Sequence, residues 1–274
     1  MTRTTISTFR PFSVDVTGPE AFFHVEVAED VPAWFTGANL AGVPDANLAH
    51  HVPHRTNALA AARRHVAERT ATDVASWHFM RQVHGANVAV IDASTPAGAE
   101  LRDVDILVTT LVDRPLVTLS ADCLPILAAG ERAVAAAHAG WRGIVAGVPD
   151  ALVDALVGTG EHEQDLRVLI GPAIGPCCYA VGPEVCSAIA AQCPDAASTT
   201  RDGEASVDLR LAVQHRLEER GVLTVLHVGG RAVAAPACTA CDPRYFSHRR
   251  GPRAGRQAGI IVRRSSGRAH GVAS

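Results

Sequence analysis

A cysteine and a histidine stand at the two ends of a predicted β-hairpin. Two apolar runs, residues 124 to 129 and 133 to 137, flank a short polar turn, which is typical of two buried strands with a tight connection. Cys123 directly precedes the first run, and His138 directly follows the second. Because an antiparallel hairpin brings the start of its first strand beside the end of its second, we expect Cys123 and His138 to be neighbours in space.

Such a pair supports two kinds of chemistry. The cysteine can act as a nucleophile with the histidine as its base. Alternatively, both side chains can bind zinc with a third ligand, leaving the fourth coordination position open as in catalytic zinc sites. His84 is the best candidate for a third ligand, because it lies in a turn beside Gly85 at the start of a predicted strand. The residues themselves leave both alternatives open. For any single histidine, a structural role with hydrogen bonds is also the ordinary explanation.

Other groups of possible ligands are less complete. Residues 238 to 241, CTAC, resemble half of a zinc site or a redox pair, but no second CxxC motif completes them. A four-copper relay needs many histidines, typically in closely spaced pairs, and no His-x-His occurs. The chain has seven cysteines, and we expect reduced thiols or metal ligands rather than a disulfide framework, with most of the cysteines acting as small buried hydrophobic residues.

Composition narrows the possible classes of function. With 274 residues and 47% hydrophobic content, the chain can bury a substantial core. It has no membrane-spanning run and no signal-peptide pattern, so we expect a cytoplasmic protein without membrane or nucleic-acid partners. All 25 basic residues are arginine, which excludes P-loop and Schiff-base lysines. We interpret residues from about 264 to 274 as a flexible, solvated tail.

The remaining patterns predict the elements that position these residues. Thr56 is the expected N-cap of an alanine-rich helix that continues to about Arg69. Residues 171 to 185 contain three glycines and three prolines, which predicts a rigid, irregular loop that forms either a pocket wall or a structural crossover. We find no internal repeat or interdomain linker and therefore predict one domain, residues 1 to 274.

Several segments carry a family likeness. They are RQVHGANV (81 to 88), SADCLPIL (120 to 127), AAAHAGWRGIVAGV (135 to 148), IGPAIGPCCYAVGPEV (170 to 185), DLRLAVQHRLEERGV (208 to 222) and the CT, YFSHRR and GRQAGI segments near the end of the chain. In this order they resemble a bacterial family long described as laccase-domain or multicopper polyphenol oxidase proteins and now understood as zinc-dependent purine nucleoside phosphorylases. The likeness fades in residues 36 to 56, where the family's arginine and paired glycines are absent.

The resemblance implies a fold and a metal site. The fold is α+β, with mixed β-sheets packed face to face and helices on the outside. The family's zinc ligands fall on His84, Cys123 and His138, so the resemblance favours the three-ligand alternative. We expect zinc held by these catalytic residues to orient phosphate or activate water.

The resemblance also implies a substrate site. The family's Asn-Arg pair falls on Ala62 and Arg63, so only the arginine is kept. We expect Arg63 to act in catalysis by holding phosphate, because a guanidinium binds oxyanions in bidentate geometry. Asn47 fits the family pattern, Gly171 opens the expected pocket wall, and Arg142 either assists or braces Trp141.

The implied reaction is phosphorolysis of adenosine, inosine, guanosine and methylthioadenosine to the free base and ribose 1-phosphate, with adenosine deamination as an additional reaction. Three alternatives belong to other classes: a copper-dependent phenol oxidase, a metal-free Cys/His hydrolase and a non-enzymatic nucleotide-binding module. The histidine pattern opposes the first. Activity that survives a chelator would identify the second, and binding of adenosine without its consumption would identify the third.

Overall fold

The computed structural model describes residues 21–230, 236–251 and 254–265. Most of the predicted tail, from residue 266 onward, lies outside these ranges. The beginning of the predicted tail lies against the rest of the chain. The backbone N–H of Arg264 donates to the carbonyl of Asp30, and the Ser265 hydroxyl lies 3.0 Å from Asp113 Oδ2.

The described residues form short strands and few helices. The strands are β1 (Phe22–Ala28), β2 (Val31–Thr36), β3 (His78–Arg81), β4 (Val88–Val90), β5 (Glu100–Arg102), β6 (Ile106–Thr109), β7 (Leu116–Ser120), β8 (Leu124–Ala129), β9 (Val134–Ala139), β10 (Arg167–Ile170), β11 (Ala197–Thr199), β12 (Ala205–Val207), β13 (Thr224–His227) and β14 (Gln257–Ile261). The helices are α1 (Thr56–Thr70), α2 (Trp141–Val145), α3 (Val148–Val157), α4 (Pro183–Ala190) and α5 (Leu209–Glu219).

Twelve of these strands form two mixed sheets of six strands each. The first sheet has the order β1-β2-β14-β7-β3-β5, and the second has the order β13-β10-β8-β9-β6-β4. In both sheets antiparallel pairs lie next to parallel pairs, for example β8 with β9 and β4 with β6 in the second sheet. The strands β11 and β12 form a separate two-stranded ribbon.

The two sheets pack face to face through central strands that are buried on both sides, such as β8 and β9. Along β8, Leu127 points into the layer between the sheets, where it meets Phe35 of β2 and Leu116 of β7. Its neighbour Ile126 points to the opposite face, which packs against the helices α2 to α5. Strands buried on both faces read as continuous hydrophobic runs, which explains the unbroken apolar stretches of the hairpin.

Helix α1 covers the outer face of the first sheet, where Val66 packs in one cluster with Trp34 and Leu119. The order of layers is therefore helix, sheet, sheet, helices, and the predicted α+β fold is confirmed. The predicted cap of α1 is wrong by one residue, since Thr56 is already helical and Arg55 is the N-cap, without a side-chain hydrogen bond. Within the described ranges, no helix is long and apolar enough to cross a lipid bilayer.

Candidate metal centre

The predicted hairpin is confirmed and brings its two ends together. Strands β8 and β9 pair in antiparallel register, with Pro125 opposite His138 and Leu124 opposite Ala139. Cys123 is the residue immediately before β8, so its thiol lies beside the end of β9. The hairpin therefore brings two of the three expected ligands together, and both belong to one short segment of the sequence.

His84 reaches the same place through a tight turn between β3 and β4. Its φ of 62° lies in the left-handed region, which is unusual for a residue with a side chain. The turn is stabilised by the carboxylate of Asp105, which accepts hydrogen bonds from the backbone N–H groups of Val83, His84 and Gly85 at 3.1, 3.1 and 2.8 Å. One buried acid thus offsets the strained backbone that aims His84.

Asp105 also orients His138. The two side chains meet at 2.9 Å between His138 Nδ1 and Asp105 Oδ1, and the backbone N–H of His138 donates to the carbonyl of Asp105 at 2.9 Å. Burial raises the pKa of Asp105, but the bonds from His138 and from the turn outweigh it and hold that pKa below its ordinary value. The ionised carboxylate of Asp105 accepts a hydrogen bond from Nδ1–H of His138, which leaves Nε2 as the ring nitrogen that can bind a metal.

The three side chains converge. One ligand atom from each of His84, Cys123 and His138 lies within 4.8 Å of the other two. The Cys123 Sγ is 3.8 Å from His84 Nε2, and the two imidazole rings meet edge to face with centroids 4.8 Å apart. His138 is buried, Cys123 is partly buried and His84 is exposed, so the group is open on the His84 side.

Gly140 leaves the space that this convergence needs. A Cβ at this position would lie 3.0 Å from both Cys123 Sγ and His84 Cδ2. The donor set of two imidazoles and one thiol suits zinc and related divalent ions. The side chains present therefore fit a metal ion with three protein ligands.

The same geometry lowers the pKa of the Cys123 thiol. Burial raises the pKa of Cys123, but the charges of His138 and His84 and their hydrogen bonds outweigh it and lower that pKa to about 6. Burial conversely lowers the pKa of His138, while the Cys123 thiolate and Asp105 raise it to about 9. Thiolate is the form that binds metals and attacks electrophiles, so the pKa of Cys123 is compatible with both alternatives.

Asp122 fixes the backbone before Cys123. Its φ is 94°, and its carboxylate accepts from the Thr239 hydroxyl at 2.6 Å and from the backbone N–H of Arg249 at 2.7 Å. Its carbonyl accepts from the N–H of Ile174 at 2.9 Å. Loops that are distant in sequence therefore hold the position of Cys123.

A cleft of about 930 Å³ lies between residues 44–59 and residues 246–255, and its lining includes none of the three candidate metal ligands. Its lining includes Asn47, His54, Phe246, Arg250 and Gly255. Phe246 packs in one small cluster with Ala121, two residues before Cys123. The volume is within the range of about 300–1,000 Å³ typical of small-molecule sites.

Arg63 lies on α1 and faces the loop before that helix. Its Nε and Nη2 both donate to the carbonyl of Leu48, at 3.1 and 2.8 Å, and its guanidinium carbon is 4.5 Å from the ring centre of Phe79. Burial lowers the pKa of Arg63, although Glu100 partly offsets this. Arg63 therefore braces the loop through two nitrogens, while Nη1 takes part in neither bond.

Asn47 joins two loops. Its amide oxygen accepts from the backbone N–H groups of Ala49 and Arg256 at 3.0 and 2.8 Å, and its NH2 group donates to the carbonyl of Ala49 at 2.8 Å. Asn47 is buried at the cleft wall, and these bonds engage its amide within the protein.

The other two expected substrate residues make contacts of a different kind. Arg142 is exposed and its guanidinium carbon lies 4.4 Å from the ring centre of Trp141, the bracing contact considered from the sequence. A Cβ on Gly171 would lie 2.3 Å from a ring carbon of Phe35 and 2.8 Å from Pro125 Cγ. Gly171 is therefore a packing position, and we leave it out of the proposed substrate site.

Sequence reasoning missed two residues near the centre. Asp105 is a single acid at the start of an apolar run, and that interruption was the available signal. Arg256 is partly buried, and burial lowers its pKa while Cys123 and Asp122 raise it, so Arg256 lies within electrostatic range of the centre. Its position close to the C-terminal end of the described chain gave no sign of this proximity.

The interpretation of CTAC as an uncompleted half site is wrong. Four thiols converge in a second group, which we call the four-cysteine group: Cys177, Cys178, Cys238 and Cys241. The adjacent pair in the Gly-Pro loop supplies the missing half, although it has no CxxC spacing. The expectation of mostly buried cysteines is also wrong, because Cys193 alone among the seven is buried.

Comparison with known proteins identifies relatives over most of the chain. Residues 36–264 match the model of a family described as multi-copper polyphenol oxidoreductase laccase. The chain is 37% identical over 227 residues to purine nucleoside phosphorylase ORF3 of Streptomyces griseus, covering 82% of this chain and 89% of the relative. It is 39% identical over 189 residues to a purine nucleoside phosphorylase of Xylella fastidiosa, covering 66% of this chain and 70% of that relative.

A solved structure shares the same fold. The crystal structure of YlmD from Geobacillus stearothermophilus superposes with a TM-score of 0.80 at 27% sequence identity. The match covers 91% of this chain and 98% of that protein. The four-layer arrangement is therefore common to both chains.

Proposed function

The chain belongs to the family described as multi-copper polyphenol oxidoreductase laccase, and we propose that within this family it is a metal-dependent purine nucleoside phosphorylase. The metal ligands are His84, Cys123 and His138, and the ion is zinc. The names of the relatives from Streptomyces griseus and Xylella fastidiosa support the reaction class. The observation that carries the proposal is the convergence of three ligand atoms, one each from His84, Cys123 and His138, within 4.8 Å of one another.

The side chains of the centre have distinct tasks. Asp105 sets the tautomer of His138 and the turn that aims His84, so the ligands are oriented in advance. Gly140 keeps the space among them open. When bound, a zinc ion supplies a Lewis acid with an open coordination position for a phosphate oxygen or water.

Arg63 and Arg256 form the proposed phosphate site. Both guanidiniums are partly buried, and neither forms an ion pair with a carboxylate of the described residues. Burial lowers the pKa of His51, the positive charges of Arg256 and Arg63 lower it further, and Glu100 partly offsets them, so each guanidinium lies within electrostatic range of His51. A bound dianion would compensate this partly buried positive charge, which Glu100 offsets only in part at Arg63.

The reaction that suits this arrangement is displacement at the anomeric carbon of the ribose. A phosphate oxygen forms the new bond to that carbon as the bond to the purine nitrogen breaks, giving the free base and ribose 1-phosphate. The substrates are adenosine, inosine, guanosine and methylthioadenosine. Phe246 offers the cleft an apolar ring for the base.

The test is an assay with metal-analysed protein. Inosine incubated with phosphate should give hypoxanthine and ribose 1-phosphate, and neither product without phosphate. Adenosine without phosphate measures the additional deamination through the inosine it releases. Cys123→Ala and His84→Ala should abolish phosphorolysis. Cys186→Ser should not, because Cys186 is a partly buried cysteine that belongs to neither candidate group of metal ligands.

Two outcomes would reject this function. Turnover that survives removal of the metal, but is lost on thiol alkylation, would identify a metal-free cysteine hydrolase. Oxidation of phenols that requires bound copper would identify an oxidase. Phosphorolysis unchanged in Cys123→Ala would reject the ligand set.

The phosphate site has its own test. Arg63→Gln and Arg256→Gln should each raise the KM for phosphate by about 10–100-fold, the equivalent of one lost hydrogen bond to a charged group. Arg64→Gln is the matched control, because Arg64 is exposed on the same helix. A KM that is unchanged in both variants would remove these arginines from the proposal.

A further inference from the structure

The four-cysteine group lies apart from the centre that the proposed function uses, and its members come from two loops. Cys177 and Cys178 lie in the single turn Pro176–Cys178, within the Gly-Pro loop after β10. Cys238 and Cys241 lie in the loop between β13 and β14. The two loops are joined by a parallel bridge between Ala173 and Cys238.

The thiols converge on one point. Cys241 Sγ lies 3.6 Å from Cys177 Sγ and 3.3 Å from Cys178 Sγ. All four sulfur atoms lie within 4.8 Å of one another, and all four cysteines are free. Sulfur atoms at about 2.3 Å from a tetrahedral zinc ion lie about 3.8 Å apart, so the observed spacing needs only small adjustments to hold one.

The surroundings of Cys238 suit an ionised thiol. The backbone N–H of Gly175 donates to Cys238 Sγ at 3.2 Å. Arg210 is buried and bonds to the carbonyls of Ala173, Ile174 and Ala237, within electrostatic range of Cys238 and Cys177. The cluster therefore lies beside a fixed positive charge and a backbone donor that stabilise ionised sulfur.

We propose that Cys177, Cys178, Cys238 and Cys241 form a second metal site, a closed structural site for zinc. Four thiolates leave no position for water or substrate, which is the pattern of structural rather than catalytic zinc. The proposal is independent of the proposed function, because the two groups share no ligand.

The position of this site gives it a role in the fold. The two loops that it would join also hold Asp122, through the N–H of Ile174 and the hydroxyl of Thr239. Asp122 precedes Cys123 and has φ of 94°. Zinc at the four-cysteine group would therefore fix the backbone that presents Cys123 to the first centre.

The test is the metal content of the full-length protein, measured by elemental analysis after purification in excess zinc. Wild-type protein should hold about two zinc ions per chain, one for each group. A variant with Cys178→Ser and Cys241→Ser should hold one fewer and unfold at a lower temperature. His84→Ala should also hold one fewer, whereas Cys186→Ser should match wild type.

A spectroscopic measurement on the unaltered chain covers the case in which the cysteine variant does not fold. Cobalt titrated into metal-free wild-type protein should give the strong charge-transfer absorption of a four-thiolate site, and His84→Ala should keep it. Full zinc retention in the folded double cysteine variant would overturn the site. So would a disulfide, detected as the loss of two hydrogens from metal-free protein purified under reducing conditions, or acid-labile sulfide from an iron–sulfur cluster. Loss of zinc only from His84→Ala would overturn it while leaving the proposed function intact.

Discussion

Asp105 connects two of the three proposed ligands, and its replacement by asparagine is a sharp test of how the centre is built. The carboxylate accepts from His138 Nδ1 and from three backbone N–H groups of the His84 turn, at 2.8 to 3.1 Å. Asparagine keeps the shape of the side chain but has only one acceptor oxygen. Its NH2 group would face N–H donors of the His84 turn or of His138 and could not accept their hydrogen bonds. His84 would then keep a left-handed backbone, which costs about 1–3 kcal/mol, with fewer bonds to stabilise it.

The loss can be given a magnitude. Hydrogen bonds to a charged group contribute about 1.5–3 kcal/mol each, so the free energy of unfolding should fall by about 2–4 kcal/mol. Loss of a residue that orients metal ligands typically weakens metal binding by about 10–100-fold, or about 1.4–2.7 kcal/mol. We expect Asp105→Asn to weaken zinc binding by that factor while the chain stays folded.

Competition titration with a chromophoric chelator measures the zinc affinity, and circular dichroism at the same temperature monitors the fold. The titration is made on chains that carry Cys178→Ser and Cys241→Ser, so that one zinc-binding group is followed. Asp103→Asn is the matched control, because Asp103 is exposed and asparagine tolerates its φ of 56°. A folded Asp105→Asn chain that binds zinc as tightly as the control would refute the role given to Asp105.

Two further predictions concern the space at Gly140 and the ion pairs of Asp150. Gly140→Ala puts a Cβ 3.0 Å from two ligand side chains and should weaken zinc binding at least about tenfold in the same titration, while Gly251→Ala, where a Cβ meets nothing within 4 Å, should not. Burial raises the pKa of Asp150, but bonds from Arg216 and Arg220 outweigh it and hold that pKa below its ordinary value. The ionised carboxylate of Asp150 therefore stabilises the fold at pH values above the pKa of about 4 that it has in the unfolded chain. This stabilisation is lost as the pH falls through its lower pKa in the folded chain. Asp150→Asn should reduce the free energy of unfolding by about 0.5–1 kcal/mol at pH 7, measured by urea titration, and equal stability at that pH would contradict the ion pairs.

The parts of the site that local sequence determines were predictable. Cys123 and His138 belong to one hairpin, and hairpin register follows from the apolar runs and the turn between them. His84 was identified as a candidate by its glycine-flanked turn, and the family resemblance then selected it. The two-sheet fold also came from that resemblance, since apolar runs predict strands but not which sheet each strand joins.

The parts that depend on distant pairing were not predictable. Asp105 matters because β6 lies beside β9, a sheet neighbour relation that periodicity does not encode. The four-cysteine group needs two loops that are about 60 residues apart in sequence. The contact between the thiols of Cys178 and Cys241 spans this separation. The predicted cap of α1 is wrong for a local reason, because the helix begins at Thr56 itself and Arg55 is the N-cap.

The central claim is that three side chains hold one divalent ion beside a phosphate site. A crystal structure of the zinc-loaded protein with phosphate, with data collected at the zinc absorption edge, tests it most directly. The account predicts an anomalous peak within bonding distance of His84, Cys123 and His138, with phosphate between the ion and Arg63 or Arg256. An empty position among these three residues in zinc-loaded, active crystals would contradict it.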